Sequence, residues 1–342
     1  MTATLPVQAL TRCRDEVLPA LRAAVARLDP LSRAATGYHL GWTEADGTPR
    51  AGGSGKSVRA ALALLAAELA GAPAASGLPG AVAVELVHNF SLLQDDVMDG
   101  DTERRHRPTV WMLWGRSNAL LVGDALLALA AEVLLDSGAP TAPAATVELM
   151  RATRDLVRGQ VADLAFESRH RVGLDECLDM ADAKTGALLA VSTAIGAVLA
   201  GAPPAVVAAL RGYGRHLGMA FQLVDDLLGI WGDPAVTGKP VLADLRARKK
   251  NLPVTYVLAG DGPAGRALAD WYATPPTPDG DPADRLARAA ELVEAGGGRA
   301  WASAKAERHL ARGEELLTRV QLPAAPLTEL LELGRYLTRR DR

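Results

Sequence analysis

Asp95, Asp96 and Asp99 are the side chains in this sequence best placed to do chemistry. Asp95 and Asp99 stand four residues apart, so on a helix they project from one face. Gly100 follows at once, and glycine commonly ends helices. Carboxylates at a helix C-terminus oppose the helix dipole and repel each other, an arrangement that a bound cation relieves. Carboxylates with open coordination positions suit Mg²⁺, which keeps waters and shares ligands with substrate phosphates. Arg104 and Arg105 come next, and guanidinium forks match phosphate oxygens. The same grammar returns downstream. Asp225 and Asp226 end an apolar run from Gly218, with Gln222 one turn earlier on their face and Lys239, Asp244, Lys249 and Lys250 beyond. Two such acidic helix ends could hold metals bridged by a diphosphate.

The elements that must position these residues read as helices. Arg59 to Leu69, Ala81 to Asp99, Ser117 to Leu135, Thr146 to Phe166 and Ala205 to Ile230 are predicted helical. Leu174 to Ala200 is predicted as one long helix or a pair, and two or three more helices run to Tyr336. The Gly-, Thr- and Pro-rich stretch from Pro30 to Ser54 reads as a loop, as does Thr274 to Pro282. No alternating strand pattern of useful length is visible, and no internal repeat.

Composition agrees with an all-α fold. Of 342 residues 49% are hydrophobic but only 4% aromatic, so Ala, Leu and Val carry the apolar surface, and Ala and Leu are strong helix formers. With 37 Lys+Arg against 40 Asp+Glu and a net charge of -3, the chain has no global field to attract nucleic acid. Cys13 and Cys177 lack metal-like spacing and read as ordinary thiols of a reducing compartment. No secretory pattern is read at the start of the sequence. The uncharged run from Thr185 to Leu210 is interrupted by Pro203-Pro204 and diluted by Ser192 and Thr193, so it is read as buried helix rather than a membrane span.

Taken together, these residues resemble the trans-polyprenyl diphosphate synthase family, over about Gly52 to Pro253 and the C-terminal Tyr336 to Arg340. Asp95, Asp96 and Asp99 match its first aspartate-rich motif, and Arg104 and Arg105 its diphosphate-binding arginines. Asp225 and Asp226 match the second motif. Gly159-Gln160 with Asp163 looks like the family's Gly-Gln-x-x-Asp helix, and Lys184-Thr185-Gly186 like its Lys-Thr-Gly element. The resemblance implies a single-domain bundle over residues 1–342, of about ten or more helices around a central active-site cavity, of the isoprenoid synthase type. It implies metal ligation by Asp95, Asp96, Asp99, Asp225 and Asp226, with about three magnesium ions per site. Lys56, Arg59, His88 and Arg105 would hold isopentenyl diphosphate. Arg104, Lys184 and Lys239 would neutralise the allylic diphosphate, Lys249 would bind substrate beside the second motif, and Thr185 and Gln222 would support the allylic cation. A cytoplasmic homodimer is the family expectation. The sequence departs at Ser57, Ala60 and Gly229, the last standing where a third aspartate is frequent in the second motif.

Product length is expected from the wall formed by Val84 to Asp99, where each residue adds about 1.5 Å of depth. Phe90 stands five before Asp95, Ser91 four before, and Val87 one turn deeper than Ser91. An aromatic at the fifth position alone is similar to the geranylgeranyl pattern of the family, with farnesyl diphosphate as the alternative product. Three rival functions compete with this reading. A phosphate-binding loop at Gly52 to Ser57 fails because Arg50 stands where the first glycine is required and no apolar strand precedes it. A class I terpene cyclase needs no second diphosphate site, which Lys56, Arg59 and Arg105 indicate. A non-catalytic synthase subunit would be expected to lose its aspartates, and five motif aspartates are present.

Overall fold

Ala- and Leu-rich runs build helices α1 (Leu5–Val25), α2 (Pro30–His39), α3 (Val58–Leu69) and α4 (Leu78–Asp99) in the computed structural model, which describes residues 5–50, 57–233, 241–275 and 281–338. Two short strands follow, β1 (Glu103–Arg104) and β2 (Arg107–Pro108), then α5 (Val110–Trp114), α6 (Arg116–Leu135) and α7 (Ala142–Ser168). Next come α8 (Leu174–Ala181), a π-helical turn (Asp182–Gly186), α9 (Ala187–Ser192), α10 (Ile195–Leu199) and α11 (Pro204–Trp231). The chain ends with α12 (Ala243–Arg246), α13 (Leu252–Leu258), α14 (Pro263–Ala273), α15 (Ala283–Ala295), α16 (Gly298–Leu317) and α17 (Ala324–Thr338). The fold is all-α.

The residues group into two compact units. The first comprises Met1–Thr153, Val191–Arg211 and Val320–Glu332; the second comprises Arg154–Ala190, Gly212–Arg319 and Leu333–Arg342. In the first unit α3 is apolar between Arg59 and Glu68, and Ala60, Leu62, Leu64 and Leu65 are essentially sealed from solvent, as expected of a helix at the centre of a core. It packs against α4 and α10, and α4 also lies along α6. In the second unit Phe166, Cys177, Met219, Leu223, Leu252 and Ala306 form one cluster. Ile230, Leu245, Val254, Leu268, Leu286 and Val293 form another.

One expectation needs correction. Pro30 to Ser54 is not all loop, because α2 occupies its first part. The cause is local: Asp29 caps the helix, its carboxylate accepting from Leu31 N at 3.0 Å and Ser32 N at 3.1 Å, with Pro30 in the first turn. Leu174 to Ala200 is a pair of helical stretches, as one of the two sequence readings had it. α8, the π turn and α9 run on without a gap, and α10 follows after a two-residue turn, with Ile195 and Leu199 among the buried residues. The β1–β2 pair, two residues on each side, is too short to display an alternating pattern. The uncharged run is buried over Ser192–Leu199. Among the described residues, the helix long and apolar enough to cross a membrane is instead α6, with 39% of that apolar window buried.

Candidate active site

In the first unit, the first aspartate cluster sits in the last turn of α4, which Gly100 ends with φ 70 in the left-handed region. Asp95 is half-buried and Asp99 exposed, so this i, i+4 pair reaches solvent. Asp96 points elsewhere. It is 1% exposed, and its Oδ1 accepts from both Nε and Nη2 of Arg104 at 2.7 Å. Its Oδ2 is buried with no hydrogen-bond partner among the described residues. Burial raises the Asp96 pKa, while the bond from Arg104 works the other way. Asp96 therefore aims a guanidinium, whereas Asp95 and Asp99 face toward solvent.

Arg104 and Arg105 ride on the β1–β2 hairpin, whose turn is Arg105–His106 with φ 54 and 60. Two consecutive left-handed residues match the tight hairpin turn, but for non-glycine residues each costs about 1–3 kcal/mol. Arg107 braces the strain. Its guanidinium donates to Tyr38 O at 2.9 Å and Thr43 O at 2.8 Å, and lies over the Tyr38 ring. Arg107 was not singled out from sequence, although the run Arg104-Arg105-His106-Arg107 displays it. A cavity of about 350 Å³ is lined by Tyr38, His39, Arg50, Arg104, Arg105 and Arg107.

Arg59 lies in the first turn of α3, where the N-cap residue Ser57 makes no side-chain capping bond. Glu85 of α4 acts as the cap instead, its Oε1 accepting from Ala60 N at 3.2 Å. This carboxylate is 8% exposed. Burial raises its pKa, and the positive charges of Arg59 and Arg105 oppose the rise. The Nε of Arg59 is buried without a hydrogen-bond partner among the described residues, so it retains a donor for an anion. Burial, then the charges of Arg59 and Arg105, holds His88 well below 6.5, so the imidazole is neutral at pH 7. His39 is depressed by burial and by Arg104 and Arg105. Along α4, Val87 is 0% exposed, Phe90 7% and Ser91 8%. Phe90 packs against Gly123 of α6, where an added Cβ would lie 3.5 Å from its Cδ2. Ser91 Oγ donates to His88 O at 2.8 Å.

In the second unit the Lys-Thr-Gly element forms the π turn, a distortion found often at functional sites. It lies so close to α7 that a Cβ on Gly159 would come 2.7 Å from Cα of Lys184. Glycine is therefore required at 159. Lys184 Nζ reaches Asp163 Oδ2 at 2.6 Å. Thr185 Oγ1 donates to Gln222 Oε1 at 2.6 Å, and Gln222 Nε2 donates to Asp226 Oδ1 at 2.7 Å. Asp226 Oδ2 accepts from Leu252 N at 2.9 Å, at the start of α13. This chain of bonds fixes the Gln222 amide. Asp226 is 6% exposed, and burial pushes it up to about 8 against those donors. Asp225 is the exposed member of the pair. The Lys249 side chain is exposed, and its N–H donates to Asp244 O at 2.9 Å. Lys56 and Lys239, with Gly52–Gly55 and Arg339–Arg340, lie outside the described residues.

The exposed donors at both clusters are hard carboxylate oxygens, which suit Mg²⁺. Among the described residues no three acidic, His or Cys groups converge into a ready cage. An ion held by one or two carboxylates and completed by substrate phosphate needs none.

An all-helical chain carrying two aspartate clusters, each followed by basic residues, defines a class of metal-dependent diphosphate enzymes. The family described as Polyprenyl synthetase matches residues 50–287. The chain belongs to this family, the trans-prenyl diphosphate synthases, which use Mg²⁺ with allylic and isopentenyl diphosphates. It is 55% identical over 338 residues to a (2E,6E)-farnesyl diphosphate synthase of Mycobacterium tuberculosis, covering 99% of this chain and 94% of that one. It is 44% identical over 335 residues to a geranylgeranyl diphosphate synthase of the same organism, covering 97% and 93%. Among solved structures, a polyprenyl synthetase of Streptomyces coelicolor A3(2) matches with TM-score 0.90 and 48% identity, over 97% of this chain and 99% of that one.

Proposed function

We propose that this chain joins isopentenyl diphosphate to an allylic diphosphate (dimethylallyl, geranyl or farnesyl) with geranylgeranyl diphosphate as its principal product. The observation that carries the reading is the outward pair Asp95 and Asp99 beside Arg104, itself held by Asp96. When bound, magnesium supplies fixed positive charge that eases departure of the pyrophosphate; the likeness to magnesium-using relatives supports the metal, and about three ions per site is part of the proposal. The protein's residues do the rest. Arg104, Lys184, Lys239 and Lys249 bind the leaving diphosphate, and Thr185 and Gln222 turn oxygen dipoles to the allylic carbon. Arg59, His88, Arg105 and Lys56 hold isopentenyl diphosphate so that its double bond attacks. The apolar helix faces exclude water, which would quench the cation. In this reading residues 1–342 act as one catalytic domain.

Phe90, an aromatic five residues before Asp95 with the small Ser91 behind it, supports the geranylgeranyl product. A farnesyl product is the second reading, favoured by the higher identity to the farnesyl enzyme of M. tuberculosis. Mass spectrometry of products from labelled isopentenyl diphosphate with each primer decides between them: a dominant farnesyl product removes the geranylgeranyl assignment. A hydrocarbon made from geranylgeranyl diphosphate alone would point instead to a cyclase, and no turnover by the purified chain to a partner-dependent subunit. Homodimer formation is also proposed, supported by Leu121 and Leu135 of α6, which are 63% and 52% exposed. A reducing, cytoplasmic setting is proposed from Cys13 and Cys177, both free and buried.

A further inference from the structure

Position 229 is the departure in the second aspartate cluster, a glycine four residues after Asp225 and hence on the same face of α11. A Cβ built on Gly229 would lie 2.5 Å from Cγ and 2.8 Å from Oδ1 of Asp244, with Oδ2 nearer still. Atoms that are not bonded do not approach so closely. The carboxylate of Asp244 therefore fills the volume that a side chain at 229 would occupy, and glycine at 229 is what admits it.

Asp244 is held there on several sides. Leu242, with φ 63, turns the chain into α12, and its N–H reaches Ile230 O at 3.3 Å near the end of α11. Asn251 Nδ2 donates to Asp244 Oδ2 at 2.9 Å. Asn251 is fixed in turn, because its own Oδ1 accepts from Val254 N at 3.4 Å as the cap of α13. The negative charge of Asp244 contributes to the raised pKa of Asp226. A carboxylate so placed presents a hard oxygen donor at the side-chain volume of position 229, one helical turn beyond Asp225, the chemistry Mg²⁺ takes when a diphosphate supplies its other ligands.

We propose that Asp244 supplies the third carboxylate of the second aspartate cluster, delivered from α12 instead of from α11. The proposal rests on the reading that Asp225 serves a magnesium ion. On this account the glycine is a relocation of a ligand.

Manganese binding tests it, read by electron paramagnetic resonance on the full chain with inorganic pyrophosphate. The background carries Asp95→Asn and Asp99→Asn, so that the second cluster dominates the signal. Asp244→Asn, nearly isosteric, lowers manganese affinity there by about tenfold or more. Gly229→Asp alone clashes with Asp244, whereas Gly229→Asp with Asp244→Gly returns a carboxylate to the same volume and restores most of the affinity. Unchanged affinity in Asp244→Asn overturns the proposal. So does a doubly exchanged chain that keeps its helical circular dichroism yet binds manganese no better than Asp244→Asn. Asp225→Asn separates the two levels: if it too leaves affinity intact, the cluster is not a metal site and the functional reading fails with the proposal.

Discussion

Asp225 and Asp226 adjoin in sequence and are opposite in environment. Asp225 is exposed, whereas Asp226 is buried with an internal donor on each oxygen. Asp226→Ala strands the Leu252 N–H and releases Gln222, so stability falls by about 2 kcal/mol in urea titration. Asp225→Asn leaves the urea midpoint near that of the parent but lowers kcat by about a hundredfold or more, as expected when charge stabilisation is removed. Equal effects of the two changes on stability would contradict this division. Phe90→Ala opens space beside Gly123 and lengthens the product. An unaltered product distribution by mass spectrometry removes Phe90 from length control. The acids and arginines themselves were legible in sequence because local spacing displays them. The inward turn of Asp96 and Asp226, the capping by Glu85 and the place of Asp244 were not, because each depends on a partner brought close by folding. Glu85 meets Ala60 across 25 residues of sequence.

At the scale of elements, helices were readable where apolar residues recur without interruption, as in α3, α4, α6 and α11. The π turn was not, since Asp182–Gly186 lies in a stretch read as continuous helix and its distortion answers to the approach of α7 at Gly159. Helix α2 was hidden by loop-like composition, although Asp29-Pro30 is a start signal. Helices α11 and α16 meet at His216 and His309, whose Nδ1 atoms are 2.9 Å apart. Burial, with Arg312 and Arg215 nearby, lowers the pKa of His216. Burial, then His216 and Lys305, lowers that of His309 to about 4, with Asp182 opposing both shifts. Unfolded imidazoles take up protons first as acid is added, near 6.5. The stability from this pair is thus fully present above pH 6.5 and lost as pH falls toward about 4. Urea midpoints measured across that window decline in the parent and decline less in His309→Asn. An equal slope in both chains would exclude the pair as the source.

At the scale of the molecule, the fold class was evident from composition and the absence of alternating patterns, whereas the grouping into two units was not. Helix α6 is apolar yet carries Leu121 at 63% exposure, and a second copy of the chain is the occupant proposed for that face. Leu121→Glu is expected to shift sedimentation from dimer to monomer with helix content unchanged; a parent chain already monomeric at micromolar concentration would refute the pairing. One rod, α4, carries His88, Phe90, Asp95 and Asp99. A helix cannot gain a residue without rotating everything beyond it by about 100°. An insertion between Phe90 and Asp95 would swing the aromatic off its azimuth before it altered any depth. Under the proposed role of Phe90, new chain lengths are thus reached by exchanging side chains at fixed rungs, and divergence between farnesyl and geranylgeranyl makers can proceed by point substitution with the scaffold untouched.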